Sequence, residues 1–338
     1  MPKRKGEPIF RGIHTSESVA PDRTQRLREE GLRKLESHQV RDEELEAVLN
    51  EIDFNLISEI ISRDIRKSGG DTASPPISTA HTCDRASIIL TNKAGVGALH
   101  GDPTTVMGYM PEYDLVLVNV EVVKRMKRQS PHLPFPLLVL HSLMHEENHA
   151  ASALYFSLDE EGRVIEAQVG MEQLRRFPDR SMRSAFQFWN EAINEKRALE
   201  QTYEYLGSSP LTGVSQAHRE LLKDPIKNDV TTLSYWLGIY IADQVIEKIS
   251  IGTGVTTDAV WQSLIHAGVQ GLNLNSKDAK RELDLDSIFG SGFTAGLVDL
   301  EESKIVDYVK KFDLNFGDSF VNELYAQVLA AERRIAIE

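Results

Sequence analysis

The run Pro134–Ser152, PFPLLVLHSLMHEENHAAS, is the strongest constraint on how this chain folds. Pro136 suits a first helical turn, where a missing N–H costs nothing. Leu137, Leu138, Val139, Leu140, Leu143 and Met144 follow it and supply enough apolar surface to bury a helix on most sides. The same helix carries His145, Glu146 and His149 in the order H-E-x-x-H. Residues i and i+4 of a helix lie one above the other. The two imidazoles can therefore grip one metal ion, and Glu146 can reach a water on it. Buried polar groups are costly unless satisfied, and a metal ion is a sufficient reason for two histidines and an acid on such a helix.

A catalytic zinc site takes three protein ligands and keeps one position open for water. The best candidate for the third ligand is Glu191, in the later helical run FWNEAINEKRA. Glu195 lies at i+4 on the same face, where it can accept an N–H from a ligand histidine and so fix its tautomer. His141 precedes His145 by one turn; with Glu191 completing the set, it takes a supporting or packing role. A purely structural zinc prefers four ligands, often with cysteine, and Cys83 is the chain's one cysteine.

The two runs His145-Glu146-Glu147-Asn148-His149 and Asn190-Glu191-Ala192-Ile193-Asn194-Glu195 together resemble the gluzincin group of zinc metallopeptidases, the thermolysin-like class. The resemblance spans roughly residues 85–206. It implies His145, His149 and Glu191 as ligands of one Zn2+, Glu146 as general base, and Glu195 as the acid that orients His145. Glu195 departs from the aspartate usual in thermolysin itself. The implied fold class is α+β: a zincin-like core with a small mixed or antiparallel sheet, an active-site helix and a glutamate helix. The implied activity is hydrolysis of a peptide or protein substrate. In the resembled class a His or Tyr beyond the glutamate helix donates to the developing oxyanion. Tyr203, Tyr205, His218, Tyr235, Tyr240 and His266 are all available for it, and the sequence does not choose among them. Two other readings stand beside the peptidase: a different zinc amidohydrolase, and an inactive zincin-like binding or regulatory protein.

The formal net charge of −13 makes nucleic acid and anionic membrane surfaces poor partners. One cysteine permits no internal disulfide, and the N-terminus lacks the apolar stretch of a secretory signal. No apolar run reaches the length of a membrane span. A cytoplasmic location is expected; the oligomeric state is left open.

Along the chain, three parts are expected: a tail and helical arm over residues 1–75, the core over 80–210, and a helical C-terminal subdomain over 211–338. In the arm, helices are expected over 23–37 and 42–67, the second from Leu45, Val48, Leu49, Ile52, Leu56, Ile57, Ile60 and Ile61 at helical spacing. Residues 68–79 read as a linker. A strand is expected over 86–91, a flexible turn at Gly95, Gly97 and Gly101, and a hairpin from 105–110 and 114–120. The edge of that hairpin would suit an extended peptide. A second hairpin is expected from 153–158 and 163–170, and a long helix from Arg180 to Tyr205. Helical segments are then expected near 214–223, 230–250, 256–269, 277–289, 300–311 and 317–336.

Overall fold

A computed structural model of the chain describes residues 8–11, 21–69, 84–152, 154–158, 164–176, 182–223, 225, 233–270, 285–298, 300, 307–308, 311–312 and 314. Cys83, most of the 68–79 linker, the 317–336 segment and most of 300–311 lie outside these residues. Strand β1 (Pro8–Arg11) is followed by helices α1 (Pro21–Leu35), α2 (Glu43–Glu51) and α3 (Phe54–Gly69). Then come β2 (Ile88–Thr91), α4 (Lys93–Leu99), β3 (Met107–Met110), β4 (Leu115–Asn119), α5 (Val120–Gln129) and α6 (Phe135–Ala150). Strands β5 (Leu154–Leu158), β6 (Val164–Val169), β7 (Glu172–Arg176) and β8 (Met182–Ala185) lead into α7 (Gln187–Ser208). Helices α8 (Gln216–Leu221), α9 (Leu233–Thr253) and α10 (Thr257–Gln270) follow, with two short helices at Leu285–Phe289 and Phe293–Val298.

The fold is broadly α+β. A small mixed sheet has the order β2-β4-β3, with β2 parallel and β3 antiparallel to β4. Among the described residues this leaves β3 on an edge, and α6 packs against it. A five-stranded antiparallel sheet has the order β1-β5-β6-β7-β8. Its outer strand β1 comes from the N-terminal stretch that the sequence reads as a loose tail.

Several expected elements change shape. The helix expected over 42–67 breaks at Ile52–Asp53, where the Asp53 carboxylate accepts N–H bonds from Asn55 and Leu56 and starts α3. The turn expected at Gly95–Gly97 is helix α4, begun by the Asn92 side chain accepting from Gly95 N–H at 3.0 Å. The helix expected from Arg180 starts later. Residues 182–185 pair with β7 instead, and Phe186, at φ +63° and buried, forces the break before α7. The pairing partner is distant enough in sequence that helical spacing alone gave no sign of it.

One apolar core joins all three expected parts. Leu45, Val48, Leu49, Ile57, Ile60, Ile61 and Ile65 from α2 and α3 are buried with Leu137, Leu140 and Leu143 of α6, Trp189 and Ile193 of α7, and Leu237, Ile241 and Val245 of α9. Helix α7 lies between α6 and α9, and α3 packs on α7 and α10. Burial at roughly 25 cal/mol per Å² of apolar surface is the main force holding these layers. Among the described residues, no helix is long and apolar enough to cross a membrane.

Candidate metal centre

Helices α6 and α7 face each other with complementary polar stripes. On α6 the stripe is His141, His145, Asn148 and His149; on α7 it is Glu191, Asn194 and Glu195. Both follow the i, i+3, i+4 spacing that puts side chains on one face. The apolar flanks, with Leu140, Met144, Trp189 and Ile193 all buried, hold the two helices together.

Three side chains converge at the centre. His145 Nε2 stands 3.1 Å from His149 Nε2 and 2.9 Å from Glu191 Oε2. Glu191 Oε1 is 3.4 Å from His149 Nε2. All three donor groups lie within 4.8 Å of one another, and together they could hold a metal ion. Donors about 2.1 Å from a tetrahedral ion stand roughly 3.4 Å apart, so the observed spacing fits one ion with little rearrangement.

The surrounding contacts orient these donors. Glu195 Oε2 accepts from His145 Nδ1 at 2.8 Å, which leaves the Nε2 lone pair facing the centre. The other Glu195 oxygen lies 2.9 Å from His141 Nε2, so the longer glutamate side chain spans both rings. Asn194 lies 3.1 Å from His149 Nδ1; with its amide oxygen turned to the ring it would accept Nδ1–H and free Nε2 for an ion. Behind them, Asn148 Nδ2 donates to Gln201 Oε1 at 2.8 Å. Gln201 Nε2 and Arg197 Nε both donate to Asp64 Oδ2 at 2.9 Å. That chain of bonds ties α3 to both helices of the centre.

Charge is concentrated here. Burial opposes a proton on His145, but the carboxylates of Glu191 and Glu195 outweigh it and hold its pKa well above the usual value. Burial opposes it on His149 too, and Glu191 overcomes this. Burial raises Glu191 and Glu195 in turn, yet the histidines dominate and keep both carboxyls below the usual range. Without an ion, the cluster is an ion-pair network sharing protons; with one, those protons must leave.

Glu146 stands outside the three-donor cluster. Its Oε2 accepts the backbone N–H of Tyr109, on edge strand β3, at 2.7 Å. The Tyr109 hydroxyl donates to buried Asp114 at 2.9 Å, which fixes that strand at its turn.

Of the six candidate tyrosines and histidines, the structure brings Tyr235 to the centre. Its ring centroid lies 5.2 Å from that of His145, and its hydroxyl bonds Glu191. Helix α9 comes this close because Gly238, one turn on, abuts α7: a Cβ there would sit 2.7 Å from Ala192 Cβ. The charge of Glu191, then burial, hold the Tyr235 hydroxyl protonated well above its usual range. Tyr205 is engaged elsewhere, accepting from Asp53 N–H at 2.7 Å, as are Tyr203 with Glu220 and His218 with Ser215. Tyr240 and His266 are half-buried on α9 and α10.

Sequence reasoning did not single out Asn194, Tyr109, Asp64 or Glu172. The i+3 spacing of Asn194 from Glu191 was a usable signal; the others depend on contacts between distant segments. Comparison with known proteins found no matching family model, no matching curated protein and no matching solved structure.

Proposed function

We propose that the chain is a zinc-dependent metallopeptidase, with Glu146 as the general base. The observation that carries this reading is the division of labour on α6. His145 and His149 converge with Glu191, while Glu146 lies apart from them and against edge strand β3. A structural ion would need no base beside it and would favour a fourth protein ligand.

His145, His149 and Glu191 would hold the ion; neutral imidazoles and one carboxylate are a donor set that suits zinc. When bound, the ion supplies an acidified water and polarises the scissile carbonyl. Glu146 keeps one oxygen on Tyr109 N–H and offers the other to the attacking water, whose proton it accepts and returns to the leaving amine. Tyr235 donates its O–H to the carbonyl oxygen as charge develops there, exchanging its bond to Glu191 for that one. An extended substrate would lie along β3, whose outer side borders Glu146.

The test is cleavage of a diverse peptide library by the zinc-loaded full chain, followed by mass spectrometry, with Glu146→Gln as the control. Cleavage by the wild type alone supports the peptidase. Turnover of small amides without peptide cleavage favours the amidohydrolase alternative, and no hydrolysis of either favours an inactive binding protein.

A further inference from the structure

One acid at the centre has no task in the account above. Glu172 begins β7, directly after the turn that joins it to β6. That turn is locked onto the glutamate helix. Met171 N–H donates to Asn190 Oδ1 at 3.1 Å. Gly170, at φ +59°, brings its backbone so close that a Cβ would meet the same oxygen at 2.6 Å. Asn190 immediately precedes Glu191, so the turn sets Glu172 beside the cluster. Glu172 is only 8% exposed. It feels the charges of Glu191 and His149, and burial first, then Glu191, push its pKa up to about 7.

Buried carboxylates are normally paired. Glu191 and Glu195 have histidines, and Glu146 has the Tyr109 N–H. Among the described residues, the Glu172 carboxylate has neither a hydrogen bond nor an ion pair. It is also not one of the three converging donors. A buried acid without such a partner among the described residues, beside the candidate metal centre, is suited to a partner that arrives with the substrate.

We propose that Glu172 recognises an ammonium group of the substrate, either a free amino terminus or a lysine side chain, and holds it beside His149 and Glu191. This rests on the peptidase reading for the substrate's class. Glu172 is then a specificity residue, and the residues that carry out the hydrolysis do not depend on it.

The test measures binding, so that it does not depend on turnover. The zinc-loaded full chain is titrated calorimetrically with leucine hydroxamate, its N-acetyl form, Nα-acetyl-lysine hydroxamate and Nα,Nε-diacetyl-lysine hydroxamate. Acetylating the relevant amine should weaken binding about tenfold or more in the wild type. The same acetylation should have no effect in Glu172→Gln, which keeps its zinc. The pair that responds identifies the source of the ammonium. Equal binding with and without the amine overturns the proposal, as does an equal loss for all probes in Glu172→Gln, loss of zinc from that variant, or failure of every hydroxamate to bind. Amine-dependent binding without any peptide cleavage would count against the peptidase reading and leave Glu172 its role.

Discussion

The backbone N–H of Tyr109 donates to the Glu146 carboxylate over 2.7 Å, joining edge strand β3 to the acid of the H-E-x-x-H helix. The bond orients Glu146 without consuming it, since one carboxylate oxygen remains for a proton. It also aligns the strand that would guide a substrate with the group that would act on it.

Glu146→Gln should therefore keep the bond to Tyr109 and the metal, because Gln also carries an acceptor oxygen. It should lose hydrolysis by about 10²–10⁴-fold, the range for a positioned general base. Peptide cleavage rates measured alongside zinc content check this. An unchanged rate would remove Glu146 from the base role.

Tyr235→Phe keeps the ring against His145 and removes only the hydroxyl. It should lower kcat about 10²-fold with KM little altered, as expected for a donor whose bond strengthens in the transition state. Steady-state kinetics on one cleaved peptide decide it, and a change confined to KM would contradict the assignment.

Asp64 holds Arg197, which is only 2% exposed, from a helix of the N-terminal arm. Asp64→Ala leaves that guanidinium buried without its carboxylate, which should cost about 3 kcal/mol. Removing residues 1–78 should do more, because it uncovers Leu45, Leu49, Ile57 and Ile60 in the shared core. Denaturant unfolding measures the first, and circular dichroism with near-ultraviolet signals the second. Wild-type stability in Asp64→Ala would show that the bond to Arg197 contributes little.

Glu172 gives the metal-free protein a pH signature. Its pKa rises from 4.5 to about 7 on folding. The folded protein therefore keeps a proton that the unfolded chain releases in that window, and stability falls as pH rises through it. Glu172→Gln carries no such proton. The variant should match the wild type near about pH 4.5 and exceed it by about 3 kcal/mol above about pH 8. Chelator-treated samples unfolded in denaturant at both pH values test this, and a difference independent of pH would contradict it.

The parts of the centre that the sequence disclosed are those set within one helix. His145 and His149, and Glu191 and Glu195, are each four residues apart, and helical geometry alone aligns such pairs. The apolar flanks of α6 gave its burial for the same reason. The rest depends on chain crossings that local spacing does not encode. Tyr235 reaches the centre because Gly238 lets α9 approach Ala192. Tyr109 and Glu172 arrive through a strand edge and a clamped turn. Residues 182–185 carry a helix-compatible pattern, yet pairing with β7 and the left-handed backbone of Phe186 make them a strand. Helical spacing marks the buried face of the arm as apolar, but what covers that face is recognisable only against α6 and α7.

The claim on which the rest depends is that His145, His149 and Glu191 together hold one divalent ion. Zinc content per chain, measured by mass spectrometry after exhaustive dialysis, tests it most directly in the wild type, Glu191→Ala, His149→Ala and Glu146→Gln. Near-stoichiometric zinc in the wild type and in Glu146→Gln, with loss from the other two, is the predicted result. Zinc absent from the folded wild type, or retained in full in Glu191→Ala or in His149→Ala, would contradict the account.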